Sequence, residues 1–147
     1  MEFKESEFLV ETEVYEAELI ISRTDLQGNI THVNDIFSHI SGYESHELIG
    51  KPHSIVRHPD MPKAIFEDLW KNLKNGQKWE GIVKNLRKDK GFYWVKAIVS
   101  EVYKDGVLIG YKSLRTPVSY TQKLKAQKLY DKMRLEHGEK IRTVIYK

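Results

Sequence analysis

Apolar and polar positions change period several times along the chain, and each change marks an element. Leu19-Ile-Ile-Ser-Arg-Thr-Asp25 is rich in β-branched residues, stops at Gln27-Gly28-Asn29 and resumes as Ile30-Thr-His-Val33, a pattern that predicts a β-hairpin. Ile36, Phe37 and Ile40 then fall at helical spacing behind Asn34, a capping residue type, and Gly42 ends this short helix. Glu44 to Gly50 supplies a further turn or two before a loop from Pro52 to Asp60. From Met61 onward the stripe Ile65, Phe66, Leu69, Trp70 and Leu73 predicts a longer amphipathic helix, with Asp60 as its N-cap, Pro62 in its first turn and Asn75-Gly76 as its stop. Period two returns where Trp79, Gly81, Val83 and Asn85 alternate with Lys78, Glu80, Ile82 and Lys84. Turns at Asp89-Lys-Gly91 and Lys104-Asp105-Gly106 lead to strands over Tyr93 to Val99 and Val107 to Arg115, and Pro117 closes the sheet region.

The order strand, strand, short helices, longer helix, three strands predicts an α+β domain whose five-stranded antiparallel sheet wraps a helical side. Thr121 to His137 places Leu124, Leu129 and Met133 among many lysines, so a mostly polar C-terminal helix is expected, with Gly138 interrupting it. Its periodicity leaves open whether it packs or projects. The chain divides accordingly into an N-terminal cap (1–17), one domain (18–117) and a C-terminal helical connector (118–147).

Composition narrows the function classes. A chain of 147 residues fits one domain, which buries about two-thirds of its unfolded surface. The mean hydropathy is −0.54, and no apolar run approaches the roughly 20 residues of a membrane span. The start, Met1 to Glu7, is acidic where a signal peptide is basic and then apolar, so a cytoplasmic location is expected. The chain has no cysteine, which removes disulfides, thiolate metal sites, iron–sulfur clusters, cysteine adducts and a cysteine nucleophile together. Redox chemistry would belong to a bound cofactor. A net charge of +3 gives no argument for nucleic acid, but its distribution is uneven. Residues 1–20 hold seven acids and one lysine, whereas 121–147 hold eight bases and three acids. These ends could pair within a molecule, pair between two copies in a homodimer, or form two solvated faces. No nucleophile, base and orienting group recur in a motif that demands catalysis, so an enzyme is not expected.

Candidate chemistry concentrates in Ile55-Val-Arg-His-Pro-Asp-Met-Pro62, a loop carrying Arg57, His58 and Asp60, and in the strand that begins at Trp79 and includes Asn85. Together they read as the lining of a cofactor pocket. Gly28-Asn29-Ile30, Asn34 with Phe37, Ser41-Gly42-Tyr43 and Glu47-Leu48-Ile49-Gly50 resemble a PAS domain. Gly50-Lys-Pro-His53, Ile55 to Ala64, Trp79, Gly81 to Asn85, Tyr93-Trp-Val95 and Arg115-Thr116 are more specific, and resemble the sensory domain of bacterial aerotaxis (energy-taxis) receptors. The similarity runs from about Thr24 to Pro117, and more loosely to the end.

That resemblance implies the PAS fold and a noncovalently bound flavin, usually FAD, whose redox state reports oxygen or electron-transport status to a chemotaxis receptor or signalling domain. The residues it implicates are Asn34, Arg57, His58, Asp60, Trp79 and Asn85. Residues 118–147 resemble the connector that follows the sensory domain. A membrane anchor, signalling coiled coil and methylation region are missing from the sequence, which suits an excised sensor or one that works through another protein.

Residue chemistry runs beside the resemblance. A flavin needs an apolar slot, donors and acceptors along its pyrimidine edge and, as FAD, contacts to a diphosphate. Asn85 could meet the pyrimidine edge with an acceptor and a donor, or bond neighbouring backbone; if Trp79 and Val83 face inward, alternation takes Asn85 with them. Arg57 and His58 suit a diphosphate or the adenine end, and would otherwise be solvated. Asp60 reads equally as a helix cap, Asn34 as a cap, and Trp79 as core. Reduction of a flavin changes charge and protonation, so Asn85 or Asn34 is expected to sense it through a hydrogen bond. His32, His39, His46 and His53 recur every seven residues but cross a strand, helices and a loop, so they share no face. Two alternatives remain: a haem sensor with His53 or His58 as axial ligand, and a cofactor-free interaction module.

Overall fold

The computed structural model describes residues 10–139. Strands β1 (Ile20–Thr24) and β2 (Ile30–Val33) form the expected hairpin. Its turn is fixed by the Asp25 carboxylate, which accepts from the backbone N–H groups of Gln27 and Asn29, and by Gly28 at φ 86°. Asn34 follows in extended conformation and caps helix α1 (Asp35–Ser41), which Gly42 ends in the left-handed region at φ 78°. Helix α2 (Ser45–Leu48), a 3₁₀ turn (His53–Val56) and helix α3 (Lys63–Lys74) complete the excursion away from the sheet. The chain returns in β3 (Trp79–Leu86), β4 (Phe92–Lys104) and β5 (Val107–Thr116), and ends the described region in helix α4 (Tyr120–Glu136).

The sheet order is β2-β1-β5-β4-β3, antiparallel throughout. β5 is central because β1 pairs with it, setting Ser22 opposite Ser113 and Thr24 opposite Tyr111. The excursion from β2 to β3 therefore joins the two sheet edges and lays its helices across one face. Phe37, Leu48, Val56, Tyr93 and Val95 pack almost completely buried in the core that results. The five-stranded α+β architecture matches the sequence expectation.

Two details differ from that expectation, and the question it left open about the C-terminal helix is answered. Helix α3 starts at Lys63 with Pro62 as N-cap, and Asp60 does not cap it; the segment between turns back at Met61, whose N–H bonds the carbonyl of His58. β4 begins at Phe92 and runs 13 residues, because it pairs with both β3 and β5 and so outlasts its own apolar run. Helix α4 packs: Ala126, Tyr130 and Arg134, four residues apart, are buried against the outer face of β3 and β4. Tyr130 donates to the carbonyl of Ile82, its ring stacks on Trp94, and burial pushes its phenol up to about 12. Lys84, on the polar side of the alternation in β3, is consequently buried beneath α4.

Part of the terminal charge, among the described residues, pairs within the molecule. Lys123 of α4 lies 2.8 Å from Glu11 and 3.2 Å from Glu13. The acidic segment itself is held to the sheet by Thr12, whose N–H donates to the carbonyl of Phe92.

Candidate functional site

Between α3 and the inner face of the sheet lies a cleft of about 710 Å³, part of it open to solvent. Phe66, Leu69, Trp70 and Leu73 of α3 form its roof, and Val83, Ala97 and Val99 its apolar floor. This explains why the stripe of α3 is only partly buried apart from Leu73: it faces a cavity rather than packed side chains. Trp70 sits against Gly28, where an added Cβ would come within 3.2 Å of the indole, and edge-on to Tyr111. Trp79 donates from Nε1 to Asp68 at 3.0 Å, tying β3 to α3 at the cleft. Its ring folds over Gly81, where a Cβ would lie 2.4 Å from it, so only glycine fits that position beneath the indole.

Polar groups gather at one end. Asn85 is buried, and with its amide oriented by the hydrogen-bond network it donates to the carbonyl of Val56 at 3.2 Å and accepts from Arg115 Nη1 at 3.0 Å. Arg115, 7% exposed, also donates from Nε to Ser113 Oγ at 3.1 Å. Its Nη2 lies 3.3 Å from both ring nitrogens of His53. No carboxylate among the described residues pairs with this guanidinium, and burial lowers its affinity for its proton. His53 is placed by its own N–H on the carbonyl of Gly28, and its Nε2 lies 3.0 Å from Ser22 Oγ. Burial, and then the charge of Arg115, hold the imidazole well below its usual range, so it is neutral at neutral pH. Tyr93 is fully buried near this group, and burial raises its phenol.

Of the six residues singled out from sequence, the cleft brings together Arg57, Trp79 and Asn85. Arg57 leaves the 3₁₀ turn in extended conformation, bridges Asn85 through the backbone, and stacks its guanidinium 3.6 Å above the ring of Phe66 at the cleft's edge. Its neighbour His58 turns to the opposite side, as successive residues of an extended segment do. There it is fully buried, edge-on to Phe92, with Nδ1 accepting from the N–H of Asp60 at 3.0 Å. Asp60 lies beside it, with Lys84 Nζ 3.9 Å and Arg134 Nη1 3.6 Å from its carboxylate. Asn34 stands outside the cleft. Its side chain accepts from the N–H groups of Phe37 and Ile21 and donates to the carbonyl of Leu19, clamping α1 to β1.

Two cleft residues were absent from the sequence-derived site. Arg115 could have been found by parity, since it shares a strand face with Ser113 and Tyr111 and a cation on an inward position asks for a partner. His53 appeared in the sequence only within the Gly50–His53 match and as an alternative haem ligand, because its placement in the cleft depends on the loop at 50–53 pairing with the β1–β2 turn.

A strand order that begins at one edge and returns through the other, with short helices laid over a half-open cleft, defines the class. Residues 30–114 match the family model described as PAS fold, and the chain belongs to that family. It is 49% identical over 111 residues to the aerotaxis receptor of Escherichia coli (strain K12), covering 76% of this chain and 22% of the receptor. It is 30% identical over 125 residues to the nitrogen fixation regulatory protein of Klebsiella pneumoniae, covering 84% of this chain and 25% of that protein. The chain thus spans about a quarter of the length of these curated relatives. Among solved structures, the PAS domain of a protein from Colwellia psychrerythraea superposes with a TM-score of 0.62 at 25% identity, covering 68% of this chain and 86% of that one. These relatives are named as receptor and regulatory proteins, and this chain matches the part of them that is a PAS domain. No described helix is long and apolar enough to cross a membrane.

Proposed function

We propose that this PAS domain binds a flavin, FAD, in the cleft under α3 and reports its redox state to a chemotaxis signalling partner. The observation that carries this reading is the buried guanidinium of Arg115 beside Asn85, at the end of an apolar slot walled by aromatic rings. A buried cation with no carboxylate partner among the described residues is costly, which supports a ligand that presents acceptors there. The pyrimidine edge of a flavin alternates carbonyl acceptors with an imide donor, which matches a guanidinium followed by an amide. The ring system suits the slot between Phe66, Trp70 and Trp79 and the floor of Val83 and Val99. Bound flavin would supply reversible electron uptake coupled to protonation.

Each residue then has a role. Asn85 and Arg115 orient the pyrimidine edge, and His53, held neutral, positions the Arg115 fork. Trp79 and Arg57 close the sides. Asn34, His58 and Asp60 act at one remove, by fixing α1 and the loop that carries Arg57. Added negative charge at the ring would tighten the contact with Arg115, and the β4–β5 pairing would carry that change toward α4. A haem reading is less suited, because an axial His53 would have to surrender a nitrogen engaged with Ser22 or Arg115.

The visible spectrum of freshly purified protein tests this, followed by heat release and chromatography of the chromophore. Bands near about 450 and 370 nm with released FAD are expected. A Soret band would transfer the case to haem, and a colourless protein that takes up no added FAD would leave an interaction module.

A further inference from the structure

A second, shallower groove runs along the outside of α3 and shares Arg57, Phe66 and Trp70 with the cleft. Lys63, Lys71 and Lys74 line it, and Glu67 supplies the single acid. These positions fall on one helical face, since Lys63, Glu67, Lys71 and Lys74 are separated by four, four and three residues. All four are exposed, and none of the three lysines is joined to a carboxylate by an ion pair among the described residues. The cleft's own lining is mostly apolar, so a diphosphate inside it would lose hydration without adequate compensation. At the sill, by contrast, Arg57 begins a run of positive charge that leads outward.

We infer that the groove on α3 is the seat of a diphosphate: a dinucleotide whose ring occupies the cleft passes its pyrophosphate over Arg57 and lays it against Lys63, Lys71 and Lys74. This rests on the flavin reading of the cleft and extends it, because it makes the lysines the feature that selects FAD over riboflavin. Lysines act here as point charges in water, so their contribution depends on salt.

Apoprotein titrated with riboflavin, FMN and FAD by quenching of flavin fluorescence tests the assignment, with wild type compared to the Lys71→Glu, Lys74→Glu double variant. Both positions are exposed, so the variant should keep its fold, which circular dichroism checks. FAD should bind wild type at least tenfold tighter than riboflavin, with an advantage that shrinks between 50 mM and 500 mM salt. The variant should lose at least tenfold in FAD affinity while its riboflavin affinity stays within twofold. Equal affinity of wild type for riboflavin and FAD, or an unchanged FAD affinity in the variant, overturns the inference. Should no flavin bind wild type, the reading of the cleft falls, and titration with ADP, followed by tryptophan fluorescence, decides the groove separately. ADP binding that the double variant weakens sustains a nucleoside diphosphate site, and ADP that does not bind removes it.

Discussion

Beneath α4 the sheet buries Lys84 and Arg134 around the carboxylate of Asp60, with Gln127 accepting from Lys84 Nζ at 3.2 Å. Across the same strands, on the cleft side, it buries Arg115 among an amide, a hydroxyl and an imidazole, with no carboxylate from the described residues. The first site takes two cations out of water and the second takes one, at a cost of several kcal/mol each, but only the first sets a charge of opposite sign against them. The first is a closed structural site, sealed by Tyr130 and α4. The second opens to a cavity. The guanidinium of the cleft thus has only neutral partners among the described residues, which is the feature the proposed flavin, rich in acceptors, would complement.

The comparison breaks most sharply at Asp60. Asp60→Ala strips the buried carboxylate from Lys84 and Arg134 and should destabilise the protein by about 3–5 kcal/mol, read by urea denaturation. A loss under about 1 kcal/mol would show that water reaches both cations and that the two faces do not differ. Arg115→Met, on the other face, should leave apo stability within about 1 kcal/mol of wild type, because removing an unpaired charge offsets the lost hydrogen bonds. The same variant should bind flavin at least tenfold more weakly, about 1.4 kcal/mol. Apo destabilisation as large as that of Asp60→Ala would instead mean that Arg115 serves the fold.

Much of this contrast was hidden from the sequence for a definite reason. The hairpin of β1 and β2, the cap at Asn34 and the stripe of α3 are local, and their residue types announce them. Alternation in β3 likewise put Trp79, Val83 and Asn85 on one face. It could not show that α4 would cover the other face, which turned Lys84 from a solvated lysine into a buried one. Nor did the run Arg57, His58, Asp60 disclose its split between two sides, since a loop has no period to read. The link from Asn85 to Arg115 spans β4 and depends on the pairings Asn85 with Tyr93 and Ala97 with Arg115. Such register lies in contacts distant along the chain.

The smallest effect follows from His53. Its imidazole is held neutral by burial and by Arg115, and no carboxylate among the described residues pairs with it to stabilise the charged form. In the unfolded chain the same group takes a proton near pH 6.5. Above that pH both states are neutral and stability is complete; below it the unfolded state binds a proton that the native state refuses, so stability falls with pH until the depressed native value is reached. Well below pH 6.5, and above the depressed native value, the slope approaches about 1.4 kcal/mol per pH unit, the value for one proton bound only by the unfolded chain. Other ionisable groups also contribute to the pH dependence of stability, so the readout is the difference between wild type and His53→Gln in apo unfolding experiments from pH 7.5 to 5. That difference should shift steadily in favour of the variant as pH falls. A flat difference would mean that His53 protonates in the folded protein, which Arg115 at 3.3 Å permits only if a negative group has been supplied to the cleft. Repeating the series with flavin bound therefore sharpens the same contrast, because an acceptor on Arg115 should reduce the slope without touching the face under α4.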